Sequence, residues 1–126
     1  MTRSEMALTV SLLLAGTTAV AQDAVKVAPD HYKVKVENAQ VRVIENVLKP
    51  GEKDGSHTHP ASWFYVTRGG KMKVTHPDGK SEIWAPKTGD SGWMEAEAPH
   101  TSENVGTEPM GFILVEVKSA ATSTAR

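Results

Sequence analysis

Proline and glycine recur in this chain at intervals too short for any long helix. Pro50-Gly51, Gly69-Gly70, Pro77-Asp78-Gly79, Pro86, Gly89, Pro99 and Pro109 cut the stretch from residue 30 to 117 into runs of strand length. Proline presets φ and glycine accepts positive φ, so these pairs mark turns by mechanism. Between them the apolar residues alternate with polar ones, the period of a half-buried strand. Tyr32 to Val36 alternates, and Gln40 to Leu48 is rich in β-branched residues. Ser62 to Thr67, Met72 to His76, Ser81 to Trp84, Gly92 to Met94 and Gly111 to Val117 follow. An extended stretch carrying His57 and His59 brings the count to about eight strands, with turn signals every 8–12 residues. No segment after residue 21 keeps a helical period for three turns. The pattern predicts an all-β domain, a sandwich or a barrel.

The N-terminus reads differently. Met6 to Ala15 is apolar but too short to span a bilayer comfortably. It leads into Ala19-Val20-Ala21, a small-x-small pattern suited to signal peptidase, and Arg3 supplies a basic start beside Glu5. Residues 1–21 are therefore expected to be a signal peptide, and residues 22–126 one domain exported to the periplasm or secreted. About 105 residues would remain, enough for one modest core. The polar connector from Gln22 to Asp30 and the small polar end from Ser119 to Arg126 are expected to be loose.

The formal net charge is -1, and the leader carries one Arg and one Glu, so cleavage leaves it unchanged. There is no basic cluster to hold a phosphate backbone, which argues against nucleic acid as a partner. After processing, nothing in the pattern calls for a membrane. The chain has no cysteine. That excludes disulfides, thiolate metal ligands and thiol nucleophiles, and leaves the packed core, aided by any bound metal, to hold the domain.

Chemistry concentrates at Gly51-Glu52-Lys53-Asp54-Gly55-Ser56-His57-Thr58-His59-Pro60. In an extended chain His57 and His59 point the same way. Neutral imidazole is the commonest ligand for borderline divalent metals. His100, about forty residues on, is the third candidate. Three nitrogens would leave positions open for water or substrate, the mark of a reactive rather than a closed site. One divalent ion is expected, with iron, zinc, manganese, nickel and copper all compatible with the donor set. Metal affinity should fall as pH drops through roughly 6.5, the ordinary imidazole value.

The order Gly51, five residues, His57-Thr58-His59, an aromatic strand and Gly69 is similar to the first motif of the cupin superfamily. Gly89, ten residues, His100, three residues and Asn104 resembles the second. The match spans residues 51–104, and the leader, length and Ser102 to Gly106 segment look like small secreted bacterial cupins. The resemblance implies a double-stranded β-helix, or jelly-roll barrel, with a metal inside its mouth. It also marks a departure. The first motif normally carries a glutamate three or four residues after the second histidine, and Pro60 to Phe64 contains no carboxylate. Aligned on Gly69, Ser62 takes that place and could hold a metal-bound water; aligned on Gly70, Trp63 does. The second motif usually has proline and glycine where this chain has Glu95 and Glu97.

Two functions follow from the missing carboxylate. One is an enzyme with a three-histidine site acting on a small organic molecule, as dioxygenase, isomerase or lyase; some cupin dioxygenases use such a site with ferrous iron. The other is a non-catalytic module binding a small ligand or metal. Glu95 and Glu97 read as exposed loop carboxylates, with a fourth ligand or general base as the sharper alternative. His31 and His76 are expected to face solvent, and Tyr65, Trp84 and Trp93 to form core or cavity wall. Arg68 reads as surface, or as a hold on an anionic substrate if inward. Exposed strand edges make a homodimer one expectation for the assembly.

The leader pattern makes a direct prediction. N-terminal sequencing of periplasmic protein should read from Gln22. Recovery of an intact Met1 on soluble cytoplasmic protein would refute cleavage after Ala21.

Overall fold

The computed structural model describes residues 22–118. The leader expected over residues 1–21 and the tail from Ser119 lie outside the described residues. Among the described residues a single helical turn, α1 (Ala24–Val27), precedes eight strands: β1 (Tyr32–Glu37), β2 (Val41–Leu48), β3 (Ser62–Arg68), β4 (Met72–Thr75), β5 (Ser81–Trp84), β6 (Ser91–Met94), β7 (Thr101–Asn104) and β8 (Met110–Val117). They form two antiparallel sheets, one in the order β1-β2-β8-β3-β6 and one in the order β5-β4-β7. This is the jelly-roll arrangement the resemblance implied. Among the described residues no helix is long and apolar enough to cross a membrane.

Period-two patterning explains the larger sheet. On β2, Ile44, Asn46 and Leu48 are buried; on β8, Met110, Phe112, Leu114 and Glu116 are buried. Two apolar clusters result. Ala24, Ala28, Tyr32, Ile44 and Leu114 fill one end, and Leu48, Val66, Met72, Met110 and Phe112 fill the other. Phe64 packs against both. Each fully buried Leu or Ile contributes roughly 1.5–3 kcal/mol of transfer free energy. Trp84 crosses from the small sheet to the large one, stacked on Phe112 at 5.4 Å and edge-on to Phe64 at 5.5 Å.

Several expectations are corrected. The connector from Gln22 to Asp30 is ordered. Asp23 caps α1 by accepting from Val25 N at 2.9 Å, and Ala24 is buried. One turn is too short to show a period, and what fixes it is tertiary: the carboxylate of Asp23 is held by Arg42. Tyr65 and Trp93 are not core. They are 38% and 53% exposed on the outer face, because alternation turns Ser62, Phe64 and Val66 inward and Trp63 and Tyr65 outward. Trp84 does line the cavity, and Arg68 is surface.

The stretch from Gly51 to His59 is not a regular strand. It runs antiparallel to the approach and body of β7 through isolated bridges, Lys53 opposite Glu103 and His57 opposite His100. The pairing slips by one residue between those bridges, a bulge that breaks the ladder. Backbone bonds still fasten it, from Asp54 N to Ser102 O at 2.9 Å and reciprocally between His57 and His100 at 3.0 Å. Gly51 enters this stretch at φ 81°, a conformation that L side chains rarely adopt.

Asn104 locks the far end. Its Nδ2 donates to Leu48 O and Glu108 O, both at 2.8 Å, and its Oδ1 accepts from Gly106 N at 2.9 Å. Asn104→Ala would strip three groups of their partner in a 1% exposed position. It should cost about 1–3 kcal/mol or more. A urea denaturation curve superimposable on the parent's would show that Asn104 has no such role.

Candidate metal centre

His57, His59 and His100 are 0%, 6% and 6% exposed, and a nitrogen from each lies within 4.8 Å of the other two. Their rings meet at centroid separations of 4.6 Å (His57 to His100), 4.8 Å (His57 to His59) and 5.6 Å (His59 to His100). The structure thus brings together all three histidines singled out in the sequence. Two of them arrive through the reciprocal backbone pair between His57 and His100, which sets the bulged stretch beside the start of β7.

Two rings are braced in the same way. His57 Nδ1 donates to the carbonyl of Gly55 at 2.8 Å, and His100 Nδ1 donates to the carbonyl of Ala98 at 3.0 Å. A proton held on Nδ1 leaves the Nε2 lone pair free for a ligand role. Glu97 Oε2 lies 3.2 Å from His100 Nδ1. Glu97 therefore stands behind a ring of the group, half-buried, whereas Glu95 is exposed and accepts from Trp93 Nε1 at 3.0 Å.

Tyr32 gives a further test of whether the group suits a cation. Its hydroxyl donates to Asp54 Oδ2 at 3.0 Å, and its oxygen is 3.2 Å from His57 Nε2. A phenol has one proton, and the carboxylate is the stronger acceptor. The remaining arrangement sets an oxygen lone pair against a nitrogen lone pair in a buried place, which a cation between them would relieve. Burial, with Asp54 alongside, pushes the Tyr32 hydroxyl well above its ordinary value, so it stays protonated. The donors fit a borderline divalent ion.

Burial also pushes His57 down to about 4, opposed by the Gly55 carbonyl and reinforced by His59 and His100. For His57, competition by protons is therefore expected at lower pH than the ordinary imidazole value. That ring stays neutral, and so able to bind metal, well below 6.5.

Other expectations sort clearly. Ser62 is fully buried, but its hydroxyl donates to the carbonyl of Pro60 at 2.7 Å, so its proton is committed away from the histidines. His31 does not simply face solvent: Nδ1 pairs with Asp54 and Nε2 is 3.4 Å from Glu52. His76 is partly exposed and 3.3 Å from Glu82, at the rim of the cavity. Sequence reading missed Tyr32, Asp54, Asn46, Arg42 and Glu116. Alternation held a signal for two of them: Asn46 lies between inward Ile44 and Leu48, and Glu116 follows inward Phe112 and Leu114.

Beside the histidines a cavity of about 310 Å³ opens between the sheets. Phe64, Met72, Trp84, Met94, Phe112 and Leu114 give it apolar walls, and His59 and His100 stand at its polar end. Asn46 also faces it, with Oδ1 buried and unpartnered.

Comparison with known proteins agrees with this architecture. A family model described as Cupin domain matches residues 45–116. No curated protein matches the chain. Among solved structures, it is similar to a cupin domain from Bordetella pertussis Tohama I, with 24% identity over 70% of this chain and 92% of that one, at a TM-score of 0.65. An RmlC-like cupin with a double-stranded β-helix fold from Methanocaldococcus jannaschii shares 18% identity over 68% and 77%, at 0.56. The polyketide cyclase RemF from Streptomyces resistomycificus shares 20% over 68% and 63%, at 0.52. Identities this low carry the fold alone.

The depressed His57 value fixes a pH window. Between about 4 and 6.5 the unfolded chain takes up a proton that the folded chain refuses. Stability of the metal-free protein should therefore fall as pH drops from 6.5 toward 4, then level off as far as this group is concerned. Urea midpoints across that window, for the parent and for His57→Gln, check the sign. Equal slopes in the two proteins would remove His57 as the cause.

Proposed function

The chain belongs to the cupin domain family, and from that premise we propose that it is an exported metalloprotein handling a small organic molecule. The ion is divalent and held by His57, His59 and His100. The observation that carries this reading is the convergence of the histidines: a nitrogen from each lies within 4.8 Å of the other two, Nδ1 of His57 and of His100 is spent on a backbone carbonyl, and His59 and His100 line the polar end of an apolar cavity. Burial alone would account for each braced N–H, but not for three histidines converging so that their nitrogens lie within 4.8 Å of one another. Such an ion supplies Lewis acidity, or brings oxygen and substrate together if it is redox-active.

The chain's own residues define what the cavity accepts. Its walls suit an apolar or aromatic body. Asn46 adds a polar side chain to these walls. Glu97, half-buried at the cavity edge, is the carboxylate placed to accept or return a proton. Dioxygenase, isomerase and lyase chemistries are the enzymatic forms of this reading. Export is part of the proposal and rests on the apolar run and the Ala19-Val20-Ala21 pattern.

A non-catalytic binding module is the second reading. It is favoured by the lack of a carboxylate between Pro60 and Phe64 and by the commitment of the Ser62 hydroxyl to Pro60. Consumption of dioxygen, or turnover of an aromatic compound by the iron-loaded protein, separates the two.

Metal titration of three proteins tests the site itself. Cobalt(II) or zinc(II) should bind the parent. His100→Ala should weaken binding by about 100-fold or more, beyond the range for outer-shell changes. His76→Ala, at the cavity rim, should leave it unchanged. Parent-like affinity in His100→Ala would reject the three-histidine site.

A further inference from the structure

Two of the three histidines take their Nδ1 acceptor from the backbone two residues before them. His59 cannot. The carbonyl two residues before it belongs to His57, and that oxygen already accepts from His100 N at 3.0 Å. His59 Nδ1 is buried with no hydrogen-bond partner.

The group facing that nitrogen is a carboxylate. Glu116 Oε2 lies 3.6 Å from His59 Nδ1, and it too is buried without a partner. Two complementary orphaned atoms in one dry place are uncommon, because each left alone costs about 1–3 kcal/mol. At 3.6 Å they do not yet form a hydrogen bond. A shift of well under one ångström would satisfy both.

Glu116 is built for this task rather than stranded. It comes from the inward row of β8 and is 2% exposed. Arg42 binds its other oxygen twice over, with Nε at 2.7 Å and Nη2 at 2.6 Å from Oε1. The same guanidinium binds both oxygens of Asp23, at 2.7 and 3.0 Å. Arg42 thus offsets the buried charge and fixes the carboxylate while leaving Oε2 free, pointed at the imidazole.

We propose that Glu116 is the positioning carboxylate of this site: it accepts the Nδ1 proton of His59 and so presents Nε2 to the metal. The site then has a carboxylate after all, supplied by the last strand and acting behind a ligand rather than as one. The proposal rests on the three-histidine reading above. It assigns to Arg42 and Asp23 the supporting role, and it explains why the N-terminal turn is drawn onto the barrel.

The experiment has two independent arms. In metal-free parent protein, ¹⁵N NMR of the imidazoles should show His59 with its proton on Nδ1. Glu116→Gln, which keeps the shape and drops the charge, should lose that preference. In the second arm, cobalt(II) titration of the parent, Glu116→Gln and Glu116→Ala is expected to show Glu116→Ala weakened by about 10–100-fold. A purely structural Glu116 would lower the melting temperature of its variants but leave the tautomer and the affinity alone. If the parent binds no cobalt, the metal reading fails, while the tautomer still decides the role of Glu116. If the variants do not fold, the parent's spectrum alone decides. A His59 proton on Nε2 in the parent, or cobalt affinity within about twofold of the parent in folded Glu116→Ala, would overturn the proposal.

Discussion

Three imidazoles buried at one end of a barrel must each place an N–H somewhere, and that requirement organises the molecule. An imidazole left with an unpaired donor in a dry place costs as much as a sizeable share of a small domain's stability. The barrel meets the requirement twice with backbone carbonyls, of Gly55 and Ala98, each two residues before its histidine. Those carbonyls are available because the chain at both places is extended but outside a regular ladder. A strand fully paired on both sides would have no carbonyl to spare. The bulged stretch from Gly51 to His59 is therefore part of the site rather than a defect in the sheet.

The same bulge explains the company the histidines keep. By turning Asp54 inward it brings a carboxylate to Tyr32 at 3.0 Å and to His31. Tyr32 is the first residue of β1 and belongs at once to the apolar core and to the polar cluster. The centre is consequently held by groups from far-separated parts of the chain: the N-terminal turn, β1, the bulged stretch, the loop before β7 and the end of β8. A site assembled this way forms only when the two sheets have closed, so its geometry and the domain's stability rise and fall together.

An apolar cavity with one polar end is a natural consequence of that closure. The sheets are spaced by Phe64, Trp84 and Phe112 on one side, and the histidines occupy the other. Side chains large enough to prop the sheets apart are too rigid to fill the whole space between them. The result is room for a small molecule beside the histidines, with Asn46 among the residues of its wall. A barrel that kept only small aliphatic residues there would pack shut.

The sequence by itself determined the all-β class, the places of the turns, most strand positions and the identity of the three histidines. Those features are local: alternation, proline and glycine chemistry, and spacing along an extended chain are all readable without knowing what lies opposite. It also determined that no carboxylate follows His59 on its own strand. What only the tertiary structure decided was everything that depends on a partner across the fold. It ordered a one-turn helix because Arg42 holds Asp23, moved Tyr65 and Trp93 to the outer face, and drew His31 to Asp54. It placed Glu116 behind His59, a contact 57 residues apart in the chain. Alternation along β8 could turn Glu116 inward, but only the pairing of β8 with β2 and β3 sets which inward neighbours it meets. Strand periodicity fixes which face a side chain takes; register between strands, set by the whole hydrogen-bonded sheet, fixes what it faces.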